Sequence, residues 1–231
     1  MSRHATPGLQ SVTSSDVAIP PLGLAGTMNM PKAALGLIVF AHGSGSSRHS
    51  PRNTAVAKAL NSRGFATLLF DLLTQREEAD RANVFDISLL AERLLDAVQW
   101  LNGQGESIAE LPIGLFGAST GAAAALVAAA RLPERVGAVV SRGGRPDLAG
   151  DALPMVRAPT LLIVGSDDYG VIELNEEALR QLRAPKLLEI VAGATHLFPE
   201  PGAMEAVIQH ASRWFERFLT KTHGSHSRPR P

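Results

Sequence analysis

Leu115-Phe116-Gly117-Ala118-Ser119-Thr120-Gly121, followed by the alanine-rich stretch Ala122 to Ala130, is the segment on which the fold turns. An apolar run stops at a glycine, a serine sits between two glycines, and a helix-forming segment follows at once. That spacing suits a tight strand-to-helix elbow. The two glycines remove side chains where strand end and helix start nearly collide, and the serine hydroxyl is left exposed at the turn. A chain with 21 glycines can produce G-x-S-x-G by chance, so the surrounding elements decide its meaning.

Outward from the elbow, apolar runs alternate with helical patterns. Leu35 to Ala41, Ala66 to Phe70, Ile113 to Phe116, Val136 to Ser141, Thr160 to Val164 and Lys186 to Val191 read as strands. Helices are expected over Pro51 to Arg63, from a cap at Asp86 through Leu101, after the elbow to Arg131, over Leu174 to Leu182 and over Ala203 to Phe218. Val17 to Met28 is expected to add one or two antiparallel strands, and the polar run Leu72 to Asn83 reads as a loop or cap. Such alternation implies right-handed crossovers, a mostly parallel sheet and helices on both faces. One domain over residues 16–220 is expected, with a flexible stretch at 1–15 and a disordered polar tail at 221–231.

Composition narrows the function classes. Lys+Arg and Asp+Glu both total 22, so no net field favours nucleic acid or an anionic membrane. There is no cysteine, which excludes disulfides, thiolate metal sites and a cysteine nucleophile. The start of the chain lacks the apolar core of a secretory signal, and Ala122 to Ala130 is too short to span a bilayer. A cytoplasmic protein without cofactor or metal is expected.

Ligands bind at the C-terminal ends of such strands, and four features fall there. His42-Gly43-Ser44-Gly45 is a loop with backbone N–H groups suited to a developing oxyanion, with Ser44 one donor and Thr120, at the helix start, the other. Ser119 is a nucleophile candidate, and Asp167 and Asp168 are candidate acids. His196 lies on the small-residue loop Gly193-Ala194-Thr195 and is the candidate base. A serine hydroxyl attacks only when an oriented imidazole takes its proton, and a carboxylate fixes that imidazole. Singly, each has a plainer role: a turn serine, a solvated histidine, an Asx turn. His42 is expected to shape the loop, and His210 to pack in the closing helix. Arg48 and Arg52 follow the first loop, and Arg142 and Arg145 follow the strand after the elbow helix. These four are candidate substrate-binding groups for an anionic or strongly polar acyl substituent, against pairing with Asp147 and Asp151.

The chain resembles the α/β-hydrolase superfamily, and within it the dienelactone hydrolase-like proteins. The likeness covers roughly residues 30 to 220 and rests on HGSGSSRHSPRN at 42–53, GASTG at 117–121, Gly165-x-x-Asp168-x-x-Val171 and GATH at 193–196. It implies the α/β-hydrolase fold with a sheet of about eight strands. It implies Ser119 as nucleophile, His196 as base and Asp168 rather than Asp167 as acid. SRGGRPDLAG at 141–150 resembles a subfamily in which the hydrolase is sometimes fused to a phosphoribosyltransferase-like domain; no such domain is expected in this chain. Dienelactone hydrolases proper use a cysteine nucleophile, so the expectation is a serine carboxylesterase acting on a small ester. An acyltransferase or thioesterase with the same triad, or a non-catalytic binding fold, are the rival readings.

Overall fold

The computed structural model describes residues 11–220. The N-terminal residues 1–10 and the tail from 221 onward lie outside them, and with them the expectations for that tail. Eight strands form one sheet: β1 (Val12–Ile19), β2 (Leu24–Pro31), β3 (Leu37–Ala41), β4 (Ala66–Phe70), β5 (Ile113–Ala118), β6 (Val136–Arg142), β7 (Thr160–Gly165) and β8 (Lys186–Val191). Their spatial order is β1-β2-β4-β3-β5-β6-β7-β8. β1 and β2 pair as an antiparallel hairpin, and β2 runs antiparallel to β4. From β4 onward every pairing is parallel. β1 begins at Val12, inside the stretch expected to be flexible. Its residues alternate too little in hydrophobicity to mark a strand, and its pairing with β2 supplies what the side chains do not.

Helices α1 (Pro51–Ser62) and α8 (Ala203–Leu219) cover one face of the sheet; α4 (Ile87–Asn102), α6 (Thr120–Arg131) and α7 (Val171–Gln181) lie on the other. The division follows the two-residue period of the strands. Leu37 and Val39 of β3 enter the core beneath α4 and α6, whereas Ile38 and Phe40 enter the core beneath α1 and α8. The Asp86 carboxylate accepts from the Leu89 N–H at 2.9 Å and caps α4. The run Leu72 to Asn83 is more ordered than a loop. It carries α2 (Gln75–Glu78) and the start of α3 (Arg81–Phe85), and Thr74 and Glu77 form a capping box. A helix α5 (Glu106–Ala109) and a kinked 3-10 segment (Pro146–Met155) complete the connections. Among the described residues no helix is long and apolar enough to cross a membrane.

Candidate active site

Four connections at the C-terminal edge of the parallel strands meet in one cleft. The turn between β5 and α6 is the tightest. Ser119 has φ 51° and ψ −123°, a left-handed conformation unusual for a residue with a side chain. A Cβ on Gly121 would come within 2.3 Å of the Ala41 carbonyl oxygen, and one on Gly117 within 2.4 Å of Ala122 Cα. Only glycine permits that approach. The Ser119 N–H donates to the Arg142 carbonyl at 3.3 Å, and the Ser119 carbonyl accepts from the Arg145 N–H at 3.1 Å. The turn is thus held from the neighbouring strand, which leaves the side chain half-buried at the cleft wall.

Asp168 follows β7 and is 8% exposed; its Oδ2 accepts from His196 Nδ1 at 2.7 Å. Asp167 faces another way, its carboxylate accepting from the Ser166 hydroxyl at 3.0 Å. His196 follows β8 and lines the cleft with Ser119, Gly43, Ser44 and Leu197. Because Nδ1 is engaged by the carboxylate, Nε2 is the nitrogen available to the cleft. Ser119 Oγ makes no hydrogen bond among the described residues. Glu200 ties down the histidine loop, accepting from the Thr195 N–H at 3.2 Å and the Thr195 hydroxyl at 2.6 Å.

In the loop after β3 the Ser44 N–H is not free in this structure: it donates to Thr120 Oγ1 at 3.1 Å. The Thr120 backbone N–H, in the first turn of α6, makes no hydrogen bond among the described residues. His42 plays a structural part. Its Nε2 accepts from the Leu72 N–H at 3.1 Å, so Nδ1 carries the proton and donates to the Gly43 carbonyl at 3.0 Å. Burial pushes the His42 pKa down, outweighing that carbonyl and the charges of Asp71 and Glu78.

The four arginines divide. Arg48 pairs with Asp71, and Arg145 forms a two-pronged pair with Asp147 at 2.9 and 2.7 Å; neither lines the cleft around Ser119. Both are engaged in ion pairs away from the lining around Ser119. Arg52 and Arg142 do line it. The cleft they share has a volume of about 230 Å³. A second pocket, under α3 on the far side of the Ser44 loop, is lined by Leu72, Leu73, Val84 and Leu90 with Glu78. Sequence reading allows a cap here but not its two short helices, because helices of one turn leave no periodic signal. Among the described residues no group of acidic or histidine side chains is arranged to hold a metal.

Residues 36–158 match the family model of the α/β-hydrolase fold. The crystal structure of dienelactone hydrolase from Anabaena variabilis is 54% identical, covers 91% of this chain and 99% of its own, and superposes with a TM-score of 0.85. The chain is an α/β-hydrolase of the dienelactone hydrolase-like family. A more distant likeness is Est1E from Butyrivibrio proteoclasticus, 17% identical with a TM-score of 0.73 over 88% of this chain and 98% of that one, which speaks to the fold alone. Two Mycobacterium tuberculosis proteins, of strains CDC 1551 and H37Rv, each named "Putative phosphoribosyl transferase", are 59% identical over 199 residues. Those residues are 86% of this hydrolase but 45% of the relatives, so the chain spans under half their length.

Proposed function

We propose that this α/β-hydrolase is a serine esterase that cleaves a small carboxylic ester through an acyl-enzyme. The observation carrying the proposal is the pairing of His196 Nδ1 with Asp168 at 2.7 Å, beside a cleft that His196 lines together with Ser119 on its strained elbow. Ser119 Oγ attacks the ester carbonyl carbon as its proton passes to His196 Nε2. The Asp168 carboxylate holds the imidazole in the required tautomer and stabilises the imidazolium. The tetrahedral oxygen is met by the Thr120 N–H, and by the Ser44 N–H once that donor leaves the Thr120 hydroxyl. Breakage of the carbon–oxygen bond returns the proton to the departing alcohol. Water then attacks the acyl-enzyme, giving its proton to His196; the acid is released and Ser119 is reprotonated.

The absence of cysteine makes serine the nucleophile in place of the thiolate of dienelactone hydrolases proper. The residues assembled here serve acyl chemistry, and the transferase name of the longer mycobacterial relatives is not extended to this chain. A fluorophosphonate probe, followed by peptide mass spectrometry, tests the assignment. Labelling is expected at Ser119 and nowhere else. Ser119→Ala is expected to abolish labelling and to lower kcat on p-nitrophenyl acetate by roughly 10³ to 10⁶ with the fold intact. Labelling of another serine, or near-normal turnover by the folded variant, overturns it. Added alcohols that compete with water for the acyl-enzyme separate hydrolysis from acyl transfer.

A further inference from the structure

Arg52 and Arg142 carry a charge that no carboxylate among the described residues answers. Arg142 ends β6 and is 5% exposed; its Nη2 donates to Asn53 Oδ1 at 3.4 Å, and its Nε is buried without a partner. Arg52 stands in the first turn of α1, and its Nε is likewise buried and unpartnered. Among the described residues neither guanidinium lies within 4.0 Å of a carboxylate, whereas Arg48, Arg93 and Arg145 all do. Buried arginines without a counter-ion are rare, because desolvation of the cation is repaid only by an opposing charge. Burial first, and then the neighbouring Arg52, lower the Arg142 pKa to about 10, so it remains cationic at neutral pH.

Arg142 has an aromatic neighbour as well as Asn53. The Arg142 guanidinium lies 6.0 Å from the centre of the Phe198 ring. Phe198 has φ 55°, a strained conformation for a bulky residue, and its side chain is fully buried. The N-terminus of α1, whose Asn53 N–H is capped by Ser50, adds its positive end beside Arg52. Arg52 and Arg142 both line a cleft whose described lining holds no carboxylate. A single carboxylate would neutralise one of the two. A phosphate monoester carries about −1.5 to −2 at pH 7, and its terminal oxygens suit two planar guanidinium forks.

We propose that Arg52 and Arg142 form a seat for a dianionic phosphate group, placed so that the ester substrate is a small phosphorylated one. The ester part rests on the serine esterase reading; the seat itself does not. The shared cleft, at about 230 Å³, admits a phosphate and a short linker to a carbonyl at Ser119. Arg48 and Arg145, satisfied by their own carboxylates, take no part.

Calorimetric titration of inorganic phosphate into the Ser119→Ala protein tests the seat without turnover. Binding is expected, with acetate weaker by about tenfold or more, and with Arg52→Gln and Arg142→Gln each lowering phosphate affinity by about 10-fold to 100-fold, the loss of a charged hydrogen bond. With active protein, phosphate is expected to raise the apparent KM for neutral p-nitrophenyl acetate and leave kcat unchanged. Should Arg142→Gln fail to fold, Arg52→Gln and Arg142→Lys, which keeps the charge but loses the fork, carry the comparison. The seat is overturned if the folded protein does not bind phosphate, or if both Gln variants bind it as the parent does. Acetate or malonate binding as tightly as phosphate overturns the phosphate assignment. An inactive protein that still binds phosphate through these arginines would retire the esterase reading and leave the seat standing.

Discussion

Ser119 occupies a backbone conformation that costs about 1 to 3 kcal/mol for a residue bearing a side chain, and the surrounding hydrogen bonds hold it there. Its two supposed helpers differ in how they could be foreseen. The choice between Asp167 and Asp168 rested on a family spacing, and the structure separates them by partner: His196 for one, the Ser166 hydroxyl for the other. Asp168→Asn is accordingly expected to lower kcat by about 10⁴, as loss of the orienting acid does in serine proteases. Asp167→Asn is expected to leave it within a few-fold, and steady-state kinetics on one ester compares them. If the Asp167 variant is the more damaged, the orienting role passes to that residue. The engaged Ser44 N–H could not be read from sequence at all, since it depends on where the Thr120 hydroxyl points. The arginines were equally ambiguous, because adjacency in sequence does not show which guanidinium finds a carboxylate.

Secondary structure was legible where periodicity ran long and faint where it ran short. The strand Lys186–Val191 and the helix beginning at Ala203 fall where hydrophobic spacing puts them. α2 and α3 have four and five residues, too few to display a face, and their polar sequence reads as a loop. Yet this element closes the apolar pocket over the Ser44 loop through Val84. If that pocket takes the apolar end of the ester, Val84→Trp should depress kcat/KM for butyrate esters more than for acetates; an equal effect on both would assign the pocket to packing. The elbow makes a sharper demand on stability. Gly121→Ala places a methyl group against the Ala41 and His42 carbonyl oxygens, at 2.3 and 2.5 Å. It should destabilise the fold by about 1 to 3 kcal/mol in urea unfolding, as overpacking does. Gly45→Ala, which meets no atom within 4 Å but keeps a positive φ, should lose less.

Taken whole, the molecule gathers its candidate site at one sheet edge, and half-buried His42 links that edge to pH. Burial lowers its pKa in the fold, so between its ordinary value and the lowered one the unfolded chain holds the proton more tightly. Its contribution is complete above the ordinary histidine value near 6.5 and drains away as pH falls toward the lowered one. The melting temperature should therefore decline below about pH 6.5, and His42→Gln should flatten that part of the profile. An unchanged slope would assign the decline to other groups. The same edge gathers Gly43, Ser119, Asp168 and His196 from connections after four different strands, the last of them after β8. If Ser119, Asp168 and His196 act together as proposed, activity becomes a clock for the end of folding. During refolding from urea, ester turnover should then recover no earlier than far-ultraviolet dichroism, because His196 follows the last strand of the sheet. Chains released from a ribosome before residue 196 would carry most of a core and lack the proposed base.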